Sequence, residues 1–324
     1  MLGKKQSKII RRIKGNLDKL FPTDEPHSLG RLFFPDHMYA IQMAVSLKLL
    51  SVLENSQIYT SDSLEVKEGL KSQARQNFFI NSVTALENFL RYWIVKLFYI
   101  EQMIHKKTNE TKAFLNWKGI SELLELKGTL ELLIQERDKE ENDKITNPSL
   151  YIISTYSFQN LNDINFVMGK ITGRNFFEGV ENKETEFTRD PESKFVKNLI
   201  DDYTKGSRQS NLDKSGYFNH SDWTSQLIDL HKRLLEKQGK FILKKKYPNW
   251  KEKIGLLFEL RNEFVHYISS KELSQDEVSE FLMVLYYFVR AVDAFLVDEI
   301  LGPMYDELED DEIPQDENEE SDQS

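Results

Sequence analysis

Apolar residues recur three and four positions apart through most of the chain, which is the spacing of helices with a face to bury. His37 to Leu53 carries Met38, Ile41, Val45, Leu49 and Val52 on one side. Gln76 to Ile104 is the longest such stretch, with Phe79, Val83, Leu86, Leu90, Trp93, Leu97 and Ile100 in register. It is so apolar that more than one of its faces should be covered. Leu115 to Lys139 follows, with Leu123, Leu126, Leu130 and Leu133, before Asn147-Pro148. Leu161 to Val180 is helical with a break near Gly173, and Leu227 to Gln238 ends at Gly239. The final long helix runs from Glu277 to Ile300. Ser274 to Glu277 forms a capping box before it, and Gly302-Pro303 stops it. Residues 55–73 are polar and read as loop or short helix. Tyr151 to Phe158 is β-branched and aromatic, compatible with a short strand but read as helix or loop. The prediction is an all-α fold.

Residues 4–21 set Lys4, Lys5, Lys8, Arg11, Arg12, Lys14 and Lys19 around a stripe of Ile9, Ile10, Ile13, Leu17, Leu20 and Phe21. A basic amphipathic helix suits a lipid surface, an RNA, or simple docking on the body with a solvated charged face. Pro22, Pro26 and Gly30 make 22–35 a linker. Residues 1–73 are therefore expected as a basic helical extension and 74–304 as the helical domain. Within that domain, 181–222 is read as a polar insertion, and 305–324 as a disordered acidic tail.

The formal net charge of −10 argues against nucleic-acid binding until it is located. Asp306 to Asp322 holds many acids and no Lys or Arg, and the chain without it is close to neutral. A local basic surface then remains compatible with RNA. Lys244-Lys245-Lys246, followed by Tyr247-Pro248-Asn249-Trp250, is the candidate for holding a strand by charge and stacking; a solvated loop is the alternative. The chain has no cysteine, which excludes disulfides, thiolate zinc sites and cysteine nucleophiles. No run is long enough to span a membrane, and the N-terminus lacks a signal peptide's apolar core, so the cytoplasm is expected. The six histidines show no zinc-protease spacing, and no phosphate loop, dinucleotide fingerprint or nucleophile elbow is present. No metal and no cofactor is expected.

The chemistry concentrates in Leu256-Leu257-Phe258-Glu259-Leu260-Arg261-Asn262-Glu263-Phe264-Val265-His266-Tyr267. Ile254, Leu257, Phe258, Leu260, Phe264, Val265 and Ile268 give it a face to bury, and Arg261, Asn262 and His266 interrupt that face. Arginine offers a planar fork that fits phosphate, and histidine exchanges protons near neutral pH. The neighbouring amide can donate to an oxyanion or hold the histidine tautomer. Metal-free cleavage of RNA through its 2′-hydroxyl needs such a set. Asn262 and His266 share a helix face, but about 140° separates Arg261 from His266 on a straight helix. One helix aims them poorly at one phosphate, whereas two copies about a two-fold axis could line one cleft. A structural pair in an inert bundle is the alternative. Glu87, inside the long helix with Asn88 and Arg91, could support the cleft or make a structural ion pair.

Arg261-Asn262 followed by His266 resembles the Arg-x4-His signature of the HEPN superfamily, including the polar residue after the arginine. An apolar helix precedes the motif and a long apolar helix follows it, as in that family, and Gln76 to Ile104 is similar to an earlier bundle helix. Ser157-Phe158-Gln159-Asn160 resembles a connecting segment of the RiboL-PSP-like members. The resemblance covers scattered blocks within 75–302. It implies an up-and-down helical bundle and a metal-independent endoribonuclease working as a homodimer. Arg261, Asn262 and His266 would be catalytic, with Glu87 and Tyr267 in support. It further implies a toxin or antiphage effector, with an antitoxin or regulatory protein as a further partner. The competing expectation is a non-catalytic module of the same shape that binds RNA, nucleotide or protein.

Overall fold

The computed structural model describes residues 35–55, 64–108, 114–126, 148–187, 222–235, 237–266 and 273–302. The basic segment 4–21, residues 22–34 of the linker, Tyr267 and the acidic segment lie outside the described residues. In order, the helices are α1 (Pro35–Asn55), α2 (Leu64–Thr108), α3 (Trp117–Leu126), α4 (Pro148–Thr155), α5 (Leu161–Thr172) and α6 (Phe176–Asn182). They continue with α7 (Asp222–Leu235), α8 (Leu243–Lys246), α9 (Trp250–His266) and α10 (Gln275–Phe295), which passes into a π-helical turn, Leu296–Leu301. Two short strands, β1 (Glu184–Phe187) and β2 (Gly239–Ile242), pair antiparallel with Glu184 opposite Ile242. The described chain is all-α apart from that ribbon, and no described helix is long and apolar enough to cross a membrane.

The α2 helix is the axis of the molecule. Phe78, Phe79, Val83, Ala85, Leu86, Phe89, Leu90, Trp93, Ile94, Leu97 and Phe98 are all buried, so apolar side chains leave it on several faces, as its composition predicts. It contacts α1, α4, α9 and α10. Tyr39, Met43, Leu47 and Leu50 of α1 join the same core as α9 and α10. Ser82 and Thr84 return their hydroxyl protons to the Phe78 and Ile80 carbonyls one turn back, which lets polar residues sit inside the helix. At its far end Glu101, almost fully buried, accepts from the backbone N–H groups of Phe114 and Leu115 and from Trp117 Nε1. That carboxylate fixes where the chain re-enters the body at α3.

Two details differ from the expectation. Residues 64–73, read as loop or short helix, are helical and form the first turns of the long α2. Glu65, Lys67, Glu68, Lys71, Gln73 and Ala74 are strong helix formers, and propensity carries a segment with few apolar positions once a long helix continues it. The all-α reading stands but for two strands, one of them, Glu184–Phe187, inside the segment read as a polar insertion. Each has only four residues, and the partners lie far apart in sequence, so neither leaves a clear period-two signal. Tyr151 to Thr155 is helical, with no strand there. The break at Gly173 is real: its φ of 68° closes α5 with its N–H on the Gly169 carbonyl. The capping box before α10 forms as read, Ser274 Oγ accepting from Glu277 N and the Glu277 carboxylate accepting from Ser274 N.

Aromatic packing joins α6, α9 and α10. Trp250 stacks on Phe288 with centroids 5.1 Å apart and meets Phe177 edge-on at 5.2 Å. Phe176 meets Phe295. Gly179 lies under the Phe295 ring, and a Cβ there would overlap the ring. Gly179→Ala is therefore expected to lower stability by about 1–3 kcal/mol through overpacking, read as a shift in the denaturant midpoint. An unchanged midpoint would show that α6 can move away from α10 at no cost.

Candidate functional site

The α9 helix buries Trp250, Ile254, Leu257, Phe258 and Leu260, and Phe264 meets Phe79 edge-on at 5.7 Å. Val265, expected on the buried face, is 46% exposed. Leu260 and Phe264, four apart, share the side that faces α2, and Val265 lies about 100° round the helix from Phe264.

This rotation turns Arg261 towards α2. Its Nη1 donates to Asn262 Oδ1 at 3.0 Å, and its Nε is buried without a hydrogen-bond partner. Facing it is Glu87, 5% exposed, whose Oε1 also lacks a partner. One turn along α2 comes Arg91, its Nε unpartnered and its guanidinium 6.0 Å from the ring centre of Phe158. Four groups, Glu87, Arg91, Arg261 and Asn262, thus gather where α2 and α9 cross near the α4–α5 connection. Burial pushes the Glu87 carboxyl above its ordinary pKa, and the fields of Arg261 and then Arg91 offset this only in part.

His266 is the last residue of α9 and is exposed. It lies on the Asn262 side of the helix, about 7.5 Å along the axis from Arg261. The lysines stand elsewhere. Lys244, Lys245 and Lys246 form α8, before the start of α9, and Arg261 lies about 16 Å along the axis from Trp250. The structure brings Glu87 to Arg261 and Asn262, leaves His266 at the exposed end, and sets the lysine triplet at the opposite end of the helix.

That lysine end is partly neutralised. Glu181 accepts from Lys244 at 3.2 Å and pairs with Lys251 at 2.8 Å. Burial alone would raise the pKa of Glu181, but the two lysines together hold it below the ordinary value. Lys240 pairs with Glu184 at 2.8 Å across the ribbon. A shallow depression of about 350 Å³ lies between Glu184, Lys240, Phe241, Ile242, Lys245 and Lys246.

Arg91 is the residue that spacing could have added to the candidate set. It is four positions after Glu87, so both share a helix face, and a carboxylate and a guanidinium at that spacing pair or act together. Among the described residues no three His, Asp or Glu side chains converge as a metal site.

The buried carboxylate gives a pH test. Because the folded pKa of Glu87 is raised, its contribution is fully present below the ordinary value of 4.5 and is lost as pH rises through the folded value. Glu87→Gln has no such titration. Denaturant unfolding from pH 4 to pH 8 should show the variant gaining on the wild type as pH increases; parallel curves would mean that folding leaves the Glu87 pKa where it is in the unfolded chain.

No protein-family model, curated protein or solved structure matches the chain.

Proposed function

We propose that this chain is a metal-independent endoribonuclease of the HEPN type, acting as a homodimer on cellular RNA as a toxin or antiphage effector. The observation that supports it is the gathering of Arg261 and Asn262 with Glu87 and Arg91 at the crossing of two bundle helices, with His266 exposed one turn further along. In this reading His266 takes the proton of an RNA 2′-hydroxyl, and the 2′ oxygen attacks phosphorus. Arg261 holds the charge that grows on the phosphorane, while Asn262 keeps the guanidinium in orientation. The bond to the 5′ oxygen breaks, that oxygen is protonated, and a 2′,3′-cyclic phosphate remains. Arg261 and His266 diverge on one helix, so a second copy would supply the complementary group across a two-fold axis. Lys244, Lys245 and Lys246 would hold RNA away from the cut.

One observation favours a second reading. Arg261 is half-buried, bonded to Asn262 and set beside Glu87, as in a structural cluster of a non-catalytic HEPN-like module that binds RNA, nucleotide or protein. The two readings part in one assay. Purified protein is incubated with RNA in EDTA and the new ends are mapped. Cyclic phosphate ends formed without divalent ions are expected. Absence of cleavage would favour the module, and 5′-phosphate ends restored only by a divalent ion would point to metal-assisted hydrolysis.

A further inference from the structure

We infer that the acidic segment Asp306 to Asp322 docks on the lysine face of β2 and α8, with an apolar side chain seated on Ile242 between Lys240, Lys245 and Lys246. Four observations lead there.

The first is uncompensated charge. Glu184 is committed to Lys240, and Glu181 to Lys244 and Lys251. Lys245 and Lys246 are exposed and close no ion pair among the described residues; Glu186 lies opposite Lys240 and Lys245 acts on Glu184 through space, yet Lys240, Lys244, Lys245, Lys246 and Lys251 still outnumber Glu181, Glu184 and Glu186, so the face keeps a positive excess. The second is shape. Ile242, half-buried, is the apolar side chain at the depression, on the strand face it shares with Lys240 and beside Lys245 and Lys246, while Phe241 turns to the other face and is buried against Tyr287. A bare polyanion would not use Ile242, but an acidic strand carrying apolar residues would. The third is the segment's sequence. Residues 306–322 contain 11 Asp and Glu, no Lys or Arg, and two apolar residues among the acids, Leu308 and Ile313.

The fourth is position. Lys183 pairs with Asp298 at 3.2 Å and with Glu299 at 2.7 Å, and it directly precedes Glu184. The end of the π-helical turn is therefore tied to the strand whose carboxylate pairs with Lys240. From Gly302 to Asp306 is about 13 Å of extended chain, and to Ile313 about 36 Å. The segment thus starts within reach of the lysine face. The Arg261 cluster lies further along α9, and its guanidinium already has Asn262 and Glu87 beside it. A tethered segment of this length competes at an effective concentration near the millimolar range for short linkers. Its hold should be lost to salt, because the rim charges are exposed.

The test uses the intact chain. A carbodiimide condenses a carboxylate with a lysine amine to an amide, with loss of water, wherever the two are in contact. The reaction is run on an equal mixture of light and ¹⁵N-labelled chains, at low salt and at about 1 M salt, where screening falls to roughly 3 Å, and the links are mapped by mass spectrometry. The expected result is same-chain links from residues 306–322 to Lys240, Lys245 and Lys246, absent at high salt. In a Lys245→Glu/Lys246→Glu variant with unchanged circular dichroism, the remaining links to Lys240 should fall about tenfold, the size expected for reversing two exposed charges. Links that go mainly to Lys4 through Lys19, that join light to heavy chains, or that do not respond to the double reversal would each overturn the assignment. The proposed ribonuclease site can fail its own assay without affecting this result, since cross-linking does not read cleavage.

Discussion

Alanine at His266 is expected to reduce RNA cleavage by roughly 10²–10⁴-fold, the range for removing a general acid or base, and to leave the unfolding midpoint where it is. The second half of that expectation comes from the fold. His266 is exposed at the last position of α9, with the buried face already closed by Leu257, Phe258 and Leu260. Truncating it empties no cavity and strands no buried polar group, so its effect on stability should stay within about 0.5 kcal/mol. Arg261 is different. It is half-buried, its Nε has no partner, and its charge is one of the two that oppose the burial cost at Glu87. Arg261→Ala should lose both cleavage and stability. Arg261→Lys keeps the charge but not the planar fork, and should lose most of the cleavage with a smaller loss of stability. Measuring both variants for rate and for unfolding separates chemistry from scaffolding. Full-rate cleavage by His266→Ala would remove the mechanism, and a rate loss at Arg261 that merely tracks unfolding would leave the arginine as a structural member of the α2–α9 crossing.

The long helices were legible because their signal is redundant. Over Gln76 to Ile104 an apolar residue falls on nearly every turn, and no other element buries that pattern. Ser274 and Glu277 marked the start of α10 because a capping box is a local device, formed by residues three apart whatever surrounds them. The adjacency of Arg261 and Asn262 and their distance from His266 were also local facts. The direction in which Arg261 points was not. It depends on how α9 rolls on α2, and that roll is set by Leu260 and Phe264 against Phe79 and its neighbours. Glu87 was named from the sequence as an interior polar residue, but its meeting with Arg261 is a contact between helices far apart in the chain. The ribbon was missed for a related reason: Glu184 to Phe187 becomes a strand because Gly239 to Ile242 lies beside it, and four residues do not declare that alone. Lys244 to Lys246 looked close to the Arg-Asn helix in sequence, yet a helix converts eleven residues into about 16 Å of separation.

The α1–α2–α10 interface carries the second large prediction, a loss of about 3 kcal/mol for Asp36→Ala. Asp36 Oδ2 accepts from Arg290 Nη1 at 2.8 Å, with side-chain exposures of 10% and 21%. The guanidinium also lies 5.5 Å from the ring centre of Tyr286. Burial acts to lower the pKa of Arg290, but Tyr286, Asp36 and Asp293 outweigh it and hold the group charged. Lys96, in the same field, is lowered by burial against the opposing pull of Asp293 and Asp36. Removing Asp36 thus leaves two buried cations with one fewer carboxylate, and breaking a buried pair from one side costs about 3–5 kcal/mol, with the partial exposure of Arg290 favouring the low end. The pH dependence has a defined sign. A lysine whose folded pKa is depressed contributes stability above its unfolded value and loses it as pH falls through the folded one. Without Asp36 the Lys96 depression deepens, so the deficit of the variant should shrink towards alkaline pH. Asp36→Ala/Arg290→Met removes both partners and should recover much of the loss, since an apolar pair carries no stranded charge. Urea unfolding of the wild type and both variants at pH 7 and pH 9.5 measures all three effects. A single variant within about 0.5 kcal/mol of wild type would mean that water reaches this cluster, and a double variant worse than the single would show that Arg290 contributes through packing rather than through charge.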